Sequence, residues 1–163
     1  PTWMIEGGAT TVEEIYTQQY YGQSEFDRGL FPVSATVLNN PQAFERFERD
    51  GGLVGSPADI NYNSSAFMVL ALIDMLEGRA IPEACAFKLV LKDFVAERPD
   101  HVVWRDAFQS VFAMGVGDFY CALRVGPYPS TGATDDWYPG AAIDVGAVLP
   151  SKSLTLNEIF AAT

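Results

Sequence analysis

The sequence holds one histidine, His101, and two cysteines, Cys85 and Cys121. With so few nitrogen and sulfur donors and no C-x-x-C pair, a cysteine-based metal site has no basis. A Ser–His–Asp triad would have only His101 to use, beside Pro99-Asp100 in an expected inter-helix turn, and no serine recommends itself as its partner. His101 therefore reads as a surface or helix-start residue. Basic residues are also scarce. Ten Lys and Arg face 21 Asp and Glu, for a formal net charge of -11. A field of that sign argues against nucleic acid bound through a basic, phosphate-tracking patch, and against anionic membrane surfaces.

Long hydrophobic runs are missing as well. The longest, Ala66 to Ile73, falls far short of the ~20 residues that a membrane helix needs, so no membrane span is expected. No signal peptide is visible, and the sequence does not open on an initiator Met. The chain opens Pro-Thr-Trp, and the expectation is that processing or truncation removed what came before Pro1. Neither G-x-x-x-x-G-K-[ST] nor G-x-S-x-G occurs. Asp59-Ile60-Asn61-Tyr62-Asn63 starts like a calcium loop, but Ser64 stands at the glycine position and Leu70 at the closing Glu position. Asp135-Asp136 reads as a solvated loop and Glu13-Glu14 as an exposed helix face. The two thiols leave two readings open, a pair of buried free cysteines or one disulfide.

What is present is apolar and helix-patterned. With 163 residues, 48% of them hydrophobic, the chain can bury one real core. Trp3 to Tyr21 has apolar residues at Met4, Ile5, Ala9, Val12, Ile15 and Tyr16, which predicts a helix that stops at Gly22. Gly7 and Gly8 interrupt it at about 1 kcal/mol each relative to Ala, and close approach of a neighbouring element is the usual reason. Residues 23–40 read as loop. A short helix follows from Asn40-Pro41, with Phe44 and Phe47 inward, and ends at Asp50-Gly51-Gly52.

Asn63-Ser64-Ser65 is expected to cap a nearly all-apolar helix, Ala66 to Leu76, ended by Gly78. Pro82-Glu83 opens the next helix, to about Glu97, with Ala84, Phe87, Leu91, Phe94 and Val95 inward. Val102 to Met114 follows, with Trp104, Ala107, Phe108, Val111 and Phe112 on one face and Gly115 as its stop. A short helix is expected at Asp118 to Leu123. Gly126 to Pro150, rich in Pro and Gly, reads as an irregular strap. Thr155 with Glu158 matches a capping box that opens a last short helix.

Three segments carry a family resemblance. Trp3-Met4-Ile5-Glu6-Gly7-Gly8-Ala9 resembles the W-x-x-E-G-x-A segment that follows the zinc-binding helix of gluzincin metallopeptidases, the peptidase-MA-like group related to thermolysin and the aminopeptidases. Tyr62-Asn63-Ser64-Ser65-Ala66-Phe67-Met68-Val69 looks like the helix that comes next in those enzymes. Trp104 through Tyr120 resembles their closing pattern, W-x-x-A-F-x-x-x-F-G-φ-x-x-x-F-φ. The resemblance covers residues 1–125, with 126–163 as strap and terminal helix. It implies a mainly α fold of five to six helices in a single domain, like the C-terminal half of a gluzincin domain.

Carried over residue by residue, the resemblance makes Glu6 the third zinc ligand, completing a His2Glu site with one position open to water. It makes Tyr62 the donor to the oxyanion of a tetrahedral intermediate. Peptides would be the substrate of the parent protein. The departure is large: no H-E-x-x-H occurs, so zinc would need two histidines and a general base from upstream of Pro1. The chain alone is expected to hold no cofactor and to be catalytically incompetent. Its alternative reading is a non-catalytic helical binding or scaffolding module. Two further expectations concern surfaces. Tyr16, Tyr20 and Tyr21, with Trp137 and Tyr138, would line a groove for an apolar or sugar-like ligand. A core face left bare by a missing half would favour homo-oligomers.

Overall fold

The computed structural model describes residues 1–22, 58–97, 104–125 and 149–162. All regular structure among them is helical, and the chain is mainly α as its patterning predicts. Helix α1 spans Thr2–Tyr21 and α2 spans Ala58–Glu77. A third rod is built from α3 (Glu83–Lys88), a π-helical stretch (Leu89–Asp93) and α4 (Phe94–Glu97). Helices α5 (Trp104–Phe112), α6 (Val116–Val125) and α7 (Leu156–Ala161) complete the described body. The expected helix at Asn40-Pro41, the strap from 126 to 148, and the residues His101, Asp135, Asp136, Trp137 and Tyr138 lie outside the described residues.

Helix α2 is the centre of the body. Every residue from Ser65 to Ile73 is buried, as the all-apolar run predicts. Its start differs from expectation. The helix begins at Ala58, and Asn63-Ser64-Ser65 lies within it instead of capping it. Propensity lost to packing there: Ser65 sits where α1 crosses, and a small buried residue suits that crossing better than a cap. Asp59 to Asn63, already rejected as a calcium loop on its sequence, is helical.

One contiguous core gathers Trp3 and Ile15 from α1, Phe67 from α2 and Phe87 from α3. Phe94 from α4, Phe108 and Phe112 from α5, Phe119 from α6 and Ile159 from α7 complete it. Full burial of one such side chain contributes roughly 1.5–3 kcal/mol. The rings pack edge-to-face and offset, with Phe108 and Phe112 centroids 4.7 Å apart and Phe94 stacked on Phe112 at 5.4 Å. Trp3 stacks on Phe119 at 5.5 Å, and its indole Nε1–H donates to the Tyr120 hydroxyl at 3.0 Å. This fastens the first turn of α1 to α6.

Several boundaries turn on backbone chemistry that the residue types do not announce. Helix α5 stops at Ala113, which takes the left-handed conformation at φ 52°. Gly115, the expected stop, instead precedes α6: its carbonyl accepts from Asp118 and Phe119, and its N–H donates to Asp118 Oδ2. Arg79 Nη1 donates to the Phe112 carbonyl at 2.8 Å, which satisfies an end group of α5 from outside that helix. After α2, Ala80 rather than Gly78 takes positive φ. Gly22 closes α1 in the left-handed form as predicted.

The last segment is held by side-chain bonds to its backbone. Glu83 Oε1 accepts from the Ser151 N–H at 2.6 Å, and Gln19 Oε1 accepts from the Leu156 N–H at 3.2 Å. The Thr155–Glu158 capping box forms as the sequence predicts. Cys85 and Cys121 are both thiols and not halves of a disulfide. Cys121 is exposed on α6, contrary to the reading of two buried cysteines.

Candidate functional site

Helix α1 carries Glu6 and the tyrosines Tyr16, Tyr20 and Tyr21, and it buries one face. Trp3, Met4, Gly7, Thr11 and Ile15 enter the core. Gly7 is the contact point with α2. A Cβ on Gly7 would collide with the Ser65 carbonyl and stand 2.9 Å from Ala66 N. The expectation that one of the paired glycines admits a neighbouring helix therefore holds at Gly7. The Thr11 hydroxyl turns back on its own helix and donates to the Gly7 carbonyl at 2.7 Å.

Glu6 lies beside that contact, half-buried, and Tyr62 lies in the second turn of α2 with 42% of its surface exposed. The two residues thus sit on a pair of helices that pack along their lengths. Zinc needs more donors than this. Among the described residues no group of three His, Cys, Asp or Glu side chains converges where a metal could sit. One carboxylate does not make a site, so Glu6 supplies no metal chemistry by itself.

The other face of α1 opens on a groove of about 710 Å³. Met4, Ile5, Gly8, Ala9, Val12, Glu13 and Tyr16 form one wall, and Val90, Leu91, Val95 and Leu156 the other. Ile5 and Tyr16 are 45% and 44% exposed, and Val95 is 52% exposed, although periodicity placed Val95 inward. The signal was present in the sequence as a second stripe. Ile5, Ala9, Val12 and Tyr16 repeat at helical spacing beside Trp3, Gly7, Thr11 and Ile15. Val90 and Leu91 belong to the π-helical stretch, where Phe94 N–H reaches back to the Leu89 carbonyl. Such stretches are uncommon and occur frequently at functional positions.

Of the aromatic residues expected to line a groove, Tyr16 does so. Its ring lies 4.5 Å from that of Tyr20 and 6.3 Å from that of Tyr21. A three-ring tyrosine cluster therefore occupies the C-terminal end of α1, next to Glu13.

A second polar feature lies where α2 ends. Burial first, and then the charges of Glu83 and Asp74, push the Glu77 carboxyl up to about 7. Among the described residues no helix is long and apolar enough to cross a membrane. No protein-family model, curated protein or solved structure matches the chain.

Proposed function

We propose that this chain is a non-catalytic helical module that binds an apolar ligand in the groove between α1 and the π-helical wall. The observation that carries the reading is the groove itself. Its volume lies in the range of small-molecule sites, and its lining is apolar with a few polar groups at one end. Gly8 adds support. A Cβ there would meet only Leu91 Cδ2, at 3.4 Å, so packing does not require glycine at that position. The glycine keeps the groove floor low.

The test is a fluorescence titration with a neutral apolar dye, N-phenyl-1-naphthylamine. One saturable site per chain is expected, and its loss in Ala9→Trp, whose indole fills the groove from an exposed position. A dye that does not bind, or that binds Ala9→Trp equally well, overturns the reading.

A second reading rests on the α1–α2 contact: descent from the helical half of a gluzincin-like metallopeptidase. The close approach at Gly7 and Ser65 supports it, because two helices that share a metal need small residues between them. In that reading Glu6 is a remnant third ligand and Tyr62 a remnant oxyanion donor. An H-E-x-x-H some twenty residues upstream of Glu6 in the gene, with activity of the complete protein lost in Glu6→Gln, is the expected result. Activity that survives Glu6→Gln removes the assignment.

A further inference from the structure

The groove has an electrostatic direction. Its α1 wall runs from Met4 to Tyr16, roughly 18 Å at 1.5 Å per residue. Over most of that length the lining is aliphatic. Its polar groups gather at one end, where Glu13 and Tyr16 lie within one turn of each other. Tyr16 holds Tyr20 and Tyr21 at ring-contact distances there, so π-faces and a carboxylate share one corner. The last turn of α1 carries no basic residue.

Among the described residues no Lys or Arg lines the groove. The lysine nearest to it in sequence, Lys92, turns its amine to the Phe160 carbonyl at 3.4 Å. Glu13 forms no ion pair with a described residue, and the whole chain carries a net charge of -11.

Resting on the binding reading above, we infer that the ligand is an amphiphilic cation: an unbranched or aryl apolar body with a single ammonium head. The body lies along Ile5, Ala9, Val12, Leu91 and Val95. The head meets the Glu13 carboxylate and the faces of the tyrosine cluster. Ring faces attract cations electrostatically, most strongly where water is partly excluded, and quaternary ammonium groups are the usual ligands of such clusters. An anionic head would meet the Glu13 carboxylate at close range, and is disfavoured by that charge.

The experiment is isothermal titration of the full chain, below micelle formation, with decyltrimethylammonium, decanol and decanoate. Tight 1:1 binding is expected for the cation, with decanol about tenfold weaker and decanoate weaker still. Glu13→Gln should bring the cation to within about threefold of decanol, and Tyr16→Leu should weaken the cation while sparing decanol. Ala9→Trp should abolish binding of all three, with its thermal melt unchanged. Equal affinity for cation and alcohol, insensitive to Glu13→Gln, overturns the head-group assignment and leaves the binding reading standing. Cation binding that survives Ala9→Trp marks general attraction to an acidic surface, and overturns this inference. Binding of none of the three overturns both.

Discussion

Gly7 and Gly8 stand side by side, yet they answer to different forces. At Gly7 the obstacle is backbone, the Ser65 carbonyl, which cannot step aside cheaply. Gly7→Ala is expected to destabilise by about 1–3 kcal/mol, the usual cost of overpacking. At Gly8 the nearest atom is the end of a flexible leucine. Gly8→Ala should stabilise by about 0.5–1 kcal/mol through helix propensity. Paired urea denaturations decide the matter, and equal signs for the two variants would contradict it. Glu77 offers a second residue-scale prediction. Its carboxyl is raised in the folded state, so the folded chain holds a proton that the unfolded chain has lost between the ordinary Glu range and about pH 7. The favourable state is present at low pH and is lost as pH rises through about 7. Glu77→Gln should therefore stabilise the chain at pH 8 by about 1 kcal/mol, after discounting for solvent screening, and change little at pH 5. Thermal melts at the two pH values measure this.

Among the elements, the short terminal helix α7 is the one most dependent on its first residues. Six residues are too few to sustain a helix on propensity. The capping box therefore matters more here than in α1 or α2. The Thr155 hydroxyl and N–H both donate to Glu158 Oε2 at 2.8 Å, and these bonds, side chain first, hold the Glu158 carboxyl below its usual range. Thr155→Ala should cost about 1 kcal/mol. It should also speed amide hydrogen exchange at Glu158 and Ile159 while leaving α2 protected, since Glu158 N–H donates to Thr155 Oγ1 and Ile159 N–H to the Thr155 carbonyl. Unchanged exchange at Glu158 would mean that the packing of Ile159, not the box, holds α7.

This element was fully legible beforehand because its signal is local: two residues three apart. So were the inward faces of α5 and the stop at Gly22. What could not be read was set by distant partners. Ser65 looks like a cap and is a crossing point for α1. Gly115 looks like a stop and is a start, because Arg79 from another loop takes the Phe112 carbonyl and Ala113 turns the chain. The π-helical stretch has no sequence signature of its own, and the groove it walls was half visible. Tyr16 was expected there, while Val95 was assigned to the inward face of its helix. Glu6 and Tyr62 were singled out only through resemblance, and among the described residues no group of three metal donors converges beside them.

At the scale of the whole molecule, the excess of acid is the dominant long-range force. Among the described residues the ion pair between Lys88 and Asp93, at 3.7 Å, is a partly exposed one of small value. A net charge of -11 on one domain repels itself, and salt screens that repulsion over about 10 Å at 0.1 M. Raising sodium chloride from 10 to 200 mM at pH 8 should lift the melting temperature by a few degrees (roughly 0.5–1 kcal/mol). A flat or falling response would show that the charges are already compensated in the fold.

The indole bond from Trp3 to Tyr120 joins residues 117 apart in sequence. Contacts of such separation slow folding, because the loop entropy is lost before the contact returns anything. Helix α1 can pair with α2 through Gly7 and Ser65 once both have formed, but its first turn is fastened only when α6 arrives. The last anchoring of the helix that carries the candidate binding surface therefore waits for α6.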